Sequence, residues 1–142
     1  EANVNRNELK QLASDRIEDS RILLENRRWS AGYYLIGYAV EIALKACILR
    51  FVEETGVIFA DKRFAEKCWT HKFDDLLKQA NLEPQYRKER DANAAFASFW
   101  SIASLWTESC RYDQKSEADA RALYDAITND SDGVFKWITH HW

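Results

Sequence analysis

AGYYLIGYAVEIALKACILRFV, residues 31–52, decides the fold of this chain. The run is almost unbroken in its apolarity and reads as a buried helix. Glu41 and Lys45 sit in its middle. Opposite charges four residues apart share one helical face, and a Glu N-terminal to its Lys is the more favourable order. Tyr34 and Tyr38 continue that face toward the N-terminus. The most hydrophobic element therefore carries one polar stripe, Tyr34, Tyr38, Glu41 and Lys45. Such a stripe either fixes the packing of a bundle or faces a ligand.

The surrounding composition narrows the fold. The chain has 142 residues, 46% of them hydrophobic and 13% aromatic, enough for one domain, residues 1–142, with one core. Only four Gly and one Pro occur, which favours long helices over a many-turned β architecture. The net charge of -3 is too mild to argue for long nucleic acid by charge alone. Basic clusters at Arg27-Arg28 and at Arg87, Lys88 and Arg90 are diluted by acidic neighbours. The 31–52 run could span a bilayer, but each central charge would cost about 2.5–3.5 kcal/mol there. A helix buried in a soluble bundle, away from any membrane, is the better reading. The three cysteines, Cys47, Cys68 and Cys110, are odd in number and lack a CxxC pair. That pattern argues against a disulfide framework and a zinc site, and favours reduced thiols in a cytoplasmic protein. No N-terminal signal pattern is visible. The absence of Met, even at the start, suggests a processed, truncated or tag-cleaved product.

Along the chain, the spacing of Leu9, Leu12, Ala13, Ile17, Ser20, Leu23 and Leu24 predicts a first helix over 7–26. Asn26-Arg27-Arg28 is a short polar turn, so the first two helices are antiparallel neighbours. Ser30 is placed to cap the second helix, with Trp29 as a hydrophobic staple. That helix should end near Glu54, with Gly56 as its stop. Residues 55–70 read as a loop with a short helical turn around 63–67. Thr70 is the expected cap of a third helix, 71–80, with Phe73, Leu76 and Leu77 on its apolar face. Pro84 suits the first turn of a fourth helix running to about Ser109. Ser116-Glu117-Ala118-Asp119 resembles a capping box that starts a fifth helix. Asn129 to Gly133 interrupts it before an apolar pattern resumes. The expectation is an all-α, up-and-down bundle of four to five helices.

Chemistry is sparse. The histidines are His71, His140 and His141. His71 at a helix start reads as a local cap or packing residue, and His140-His141 as a surface pair near the chain end. No phosphate-binding glycine loop, HExxH or nucleophile elbow occurs. No catalytic residue, metal site or cofactor is assigned. Glu41 and Lys45 either form a partly buried ion pair that sets helix register, or Lys45 lines a cleft for an anionic ligand with Arg111 and the tyrosines. Arg111 either pairs with Asp113 and the preceding helix C-terminus or belongs to that cleft.

Several of these pieces match a known family in order. Trp29-Ser-Ala-Gly-Tyr-Tyr-Leu-Ile-Gly-Tyr-Ala-Val-Glu-Ile-Ala-Leu-Lys-Ala resembles the second-helix signature of HEPN domains (higher eukaryote and prokaryote nucleotide-binding). Residues 13–24 resemble the family's first helix, and 70–77 its short third helix. Cys110-Arg111-Tyr112-Asp113 resembles the Arg-Tyr corner after the fourth helix. The resemblance implies a bundle of four or five helices, commonly dimeric. It also implies work beside a minimal nucleotidyltransferase or an antitoxin, in toxin–antitoxin or defence modules. Many members are metal-independent RNases whose catalytic Arg is followed, after about four to six residues, by a His. This chain departs from that motif. After Arg111 the next histidine is His140, and seven residues separate Arg63 from His71. What carries over is Glu41, Lys45 and Arg111, with Tyr112, Tyr34 and Tyr38 beside them. The expected function is a noncatalytic nucleotide- or RNA-binding component, acting as a homodimer. The alternatives are an RNase with a non-standard site, with Arg111 and His71 or Tyr112 assisting, and a helical module that docks another protein through its aromatic residues.

Overall fold

Asn5 opens the first helix. Its side chain accepts the Glu8 N–H, and the Glu8 carboxylate accepts the Asn5 N–H in return. The computed structural model describes residues 4–142, so the residue-1 bound of the expected domain lies outside it. Among the described residues the fold is all-α, with no strand. Its helices are α1 (Arg6–Glu25), α2 (Trp29–Thr55), α3 (Phe64–Lys67), α4 (Phe73–Gln79), α5 (Glu83–Ala92), α6 (Ala94–Ala103), α7 (Glu117–Thr128) and α8 (Val134–Thr139). Two 3-10 turns, Val57–Phe59 and Glu108–Tyr112, punctuate them.

The helix α2 is the axis of the fold. It packs against α1, α4, α7, α8 and the second 3-10 turn. That explains why its sequence is apolar on nearly every side. Ala39, Val40, Ala43, Leu44 and Ala46 on it are fully buried. The antiparallel α1 lies along it, and the buried Ser20 hydroxyl donates to the Gly32 carbonyl at 2.8 Å. Leu12, expected in the buried stripe of α1, is 36% exposed and sits at its edge. Gly37 lets the Trp106 indole lie against α2. A Cβ there would stand 2.2 Å from the ring, closer than atoms can approach. At the far side Tyr86, Phe96, Trp100 and Trp137 form an aromatic cluster with ring centroids 4.8–6.3 Å apart.

Among the described residues eight helices stand where four to five were expected: the short turn expected around 63–67 is α3, the apolar pattern after Gly133 is α8, and the fourth helix does not run unbroken. Asn93 turns extended (φ -136°, ψ 97°) and splits it into α5 and α6. Its carbonyl oxygen caps the Phe96 N–H, while its amide donates to Glu89 and to Asp132. An Asn side chain competes with helical backbone bonds, and here it has three partners to compete with. The helix then stops at Ala103 instead of reaching Ser109.

Two expected caps are also corrected. Ser30 does not cap α2. Trp29 is already helical, Arg28 is the cap residue without a side-chain bond, and Ser30 accepts the Lys115 N–H at 2.9 Å. Nor does Thr70 begin the next helix. Its hydroxyl accepts the Lys72 N–H and α4 starts only at Phe73. His71 is therefore outside the helix. The remaining local signals match the observed elements: Pro84 in the first turn of α5, the Ser116–Asp119 capping box, and the Gly56 stop at φ 62°. No helix among the described residues is long and apolar enough to cross a membrane.

Candidate functional site

Tyr34, Tyr38, Glu41 and Lys45 lie in one row along α2, spanning about 16 Å from first to last at 1.5 Å per residue. The two ends of this row meet different surroundings.

At the lower end, Glu41 is 2% exposed yet charged groups surround it. Lys45 Nζ stands 3.3 Å from one carboxylate oxygen, and His71 Nδ1 stands 2.6 Å from the other. The other ring nitrogen of His71, Nε2, lies 2.8 Å from Glu108 on the second 3-10 turn. One imidazole thus bridges a buried carboxylate on α2 to a half-buried one on the turn. Each carboxylate meets a different ring nitrogen. The two carboxylates face opposite edges of the ring and do not converge. Consistent with this, no group of three or more His, Cys, Asp or Glu among the described residues is arranged to hold a metal ion.

The upper end opens into a cleft of about 610 Å³. Arg27, Arg28, Tyr34, Arg111, Tyr112 and Lys115 line it, with Asp113 as the carboxylate among the lining residues. Two loops build it: the α1–α2 turn, which supplies Arg27 and Arg28, and the turn beyond α6, which supplies Arg111 and Lys115. The Ser30–Lys115 bond joins the two. Trp106 braces the floor: its indole N–H donates to the Tyr34 carbonyl at 3.2 Å, and its ring lies 6.1 Å from that of Tyr34. Tyr38 stacks on the far side of Tyr34 with centroids 6.0 Å apart.

Pairing separates the arginines of this cleft from those of the other basic cluster. Lys115 lies 3.6 Å from Asp113 and over the Tyr33 ring. No carboxylate among the described residues comes within 4.0 Å of the guanidinium of Arg27, Arg28 or Arg111. The Arg111 guanidinium lies over the Tyr112 ring at 4.9 Å, and contact with the Tyr112 and then the Tyr34 side chain pushes it further toward its charged form. By contrast Arg87 and Arg90, in the other basic cluster, have Glu83 and Asp91 beside them.

The six residues singled out from the sequence therefore divide. Tyr34, Arg111 and Tyr112 share the cleft, Tyr38 supports it, and Glu41 and Lys45 belong to the His71 bridge. Sequence reasoning passed over Arg27, Arg28 and Lys115 as site residues, and Glu108 altogether. The Arg27-Arg28 pair was visible, but its position opposite Arg111 depends on contacts more than eighty residues apart. His71, read as a cap or packing residue, is tied instead to two distant carboxylates.

Comparison with known proteins gives no match for this chain, whether to a family model, a curated protein or a solved structure. The resemblance to HEPN domains therefore rests on the residues quoted for it.

Proposed function

We propose that this chain is a HEPN-like up-and-down helical bundle that binds a nucleotide or RNA phosphate in the cleft beside Arg111. It acts as a noncatalytic component of a prokaryotic toxin–antitoxin, defence or nucleotidyltransferase system. Its partners are a second copy of itself and a minimal nucleotidyltransferase or antitoxin. The observation that carries the binding function is the charge around the cleft: Arg27, Arg28 and Arg111 face one cavity without a carboxylate in ion-pair range. Crowded like charges raise the energy of the empty site, and an anion relieves it. Arginine suits phosphate because its planar fork donates two parallel hydrogen bonds. The exposed ring of Tyr112 offers a stacking surface for a base. A volume of about 610 Å³ lies within the usual range of small-ligand sites, roughly 300–1,000 Å³. Titration with ADP and with a short 5′-phosphorylated single-stranded RNA should give binding that weakens as salt rises. No binding of either at low salt removes this function.

A second reading, an RNase with a non-standard site, draws on the His71 bridge. Its imidazole is 44% exposed and is oriented by the buried Glu41, so Nε2 would serve as a base once it leaves Glu108. RNA cleavage in the presence of chelator, abolished by His71→Ala, would favour it over simple binding.

A further inference from the structure

Three helix ends among the described residues adopt the left-handed backbone, and they differ in the residue that does so. Gly56 ends α2 at φ 62°, Asn81 follows α4 at φ 58°, and Arg27 follows α1 at φ 59°. Gly and Asn are the residues that tolerate this region; a long L side chain does not favour it. The hydrogen bonds at Arg27 are those of a Schellman stop. The Arg28 N–H reaches the Leu23 carbonyl at 2.8 Å and the Arg27 N–H reaches the Leu24 carbonyl at 3.1 Å. The Asn81 turn repeats the same pair of bonds, from Leu82 to Leu77 and from Asn81 to Lys78. Glycine would thus serve the backbone at position 27 better than arginine does.

The side chain of Arg27 makes no ion pair among the described residues that would offset this cost. What distinguishes position 27 from 56 and 81 is its place. Arg27 lines the cationic cleft, and it also lines an adjoining cavity of about 610 Å³ where Glu25, Glu117 and Asp125 stand beside Arg121 and Tyr124, so the anion site is assigned to the first cavity. We infer that Arg27 is an anion-binding residue of the cleft, held in an unfavourable backbone conformation because its guanidinium contacts the ligand's phosphate from the wall opposite Arg111. This rests on the phosphate-binding function proposed above and adds a second contact to it. The competing explanation is structural: a cation just past the C-terminus of α1 is favoured by the helix dipole.

Arg27→Gly separates the two, because it moves stability and binding in opposite directions. Thermal unfolding without ligand and calorimetric titration with ADP are measured on the wild-type chain, Arg27→Gly, Arg27→Lys and Arg111→Ala. Arg27→Gly should raise Tm by about 2–4 °C while weakening ADP binding roughly tenfold, the loss of one charge-assisted contact. Arg27→Lys keeps the charge and the strained backbone, so its Tm should stay with the wild type while its affinity falls less. A lower Tm for Arg27→Gly assigns the residue to the helix dipole and overturns the inference. So does unchanged ADP affinity in Arg27→Gly when Arg111→Ala is weakened, an outcome that leaves the cleft itself standing. Absence of ADP binding to the wild type removes both.

Discussion

At the Glu41 end of α2 each charge has met a partner, and at the Tyr34 end three guanidiniums have not. Glu41 is buried and contacts both Lys45 and His71, and His71 in turn contacts Glu108. Arg27, Arg28 and Arg111 surround an open cavity with tyrosine and tryptophan rings between them. Both ends belong to one polar row on one helix, yet they do different work. Paired charges at the lower end behave as packing: they tie α2 to the segment before α4 and to the second 3-10 turn. Unpaired charges at the upper end are available to something outside the chain. A polar stripe on a buried helix is thus not one feature, and burial together with pairing separates its parts.

The largest effect should come from removing the residue that fills the core beneath the Tyr34 end. Trp106 is 3% exposed, fills the space over Gly37 and holds the Tyr34 carbonyl. Trp106→Ala should cost about 3–5 kcal/mol in denaturant unfolding, and it should weaken ADP binding as well, since the floor of the cleft goes with it. A loss in only one of the two measurements would break the view that Trp106 supports both the core and the cleft.

Glu41→Ala comes next and should touch one end alone. It leaves Lys45 and His71 without their carboxylate. Both are partly solvated, so the cost should be about 2 kcal/mol, below the range for fully buried pairs. ADP affinity should not change. An affinity loss matching that of Arg111→Ala would merge the two ends into one site.

Arg111→Ala should do the reverse. Stability should stay within about 0.5 kcal/mol of the wild type, as for an exposed residue. ADP binding should weaken about tenfold, or about 1.4 kcal/mol.

The smallest effect lies away from both ends. Burial, and then the charges of His140 and Arg50, hold the His141 imidazole below its ordinary range. The unfolded chain therefore takes up this proton first. The contribution to stability is complete above the unfolded value, about 6.5, and is lost as pH falls below it. Urea unfolding between pH 7 and pH 5 should show a slight decline that His141→Gln flattens.

What could be read from the sequence follows the range of each interaction. The helices α1, α2 and α7 were legible because their signals are local: a 3.6-residue period, Gly56 as a stop, and a Ser and an Asp three residues apart. The break at Asn93 was not, because it depends on Asp132, far along the chain, accepting from the same amide. The helical start assigned to His71 failed for a related reason. Its ring is drawn outward to Glu41 and Glu108, and Thr70 caps a turn before α4 begins. For the site, the row on α2 and the corner at Arg111 could be read from spacing and resemblance. The rest of the cleft could not. Arg27 and Arg28 looked like an ordinary polar turn, and nothing local to them reveals that the chain returns at Lys115 to face them.

The most direct test of the account is a two-dimensional 1H–15N titration of the wild-type chain with ADP. The predicted result is a set of shifts confined to the cleft, at Arg27, Arg28, Trp29, Ser30, Ala31 and the backbone around Arg111 to Lys115, with Lys45, His71 and their neighbours unmoved. Shifts centred on His71 and Lys45, or none at all, would contradict it.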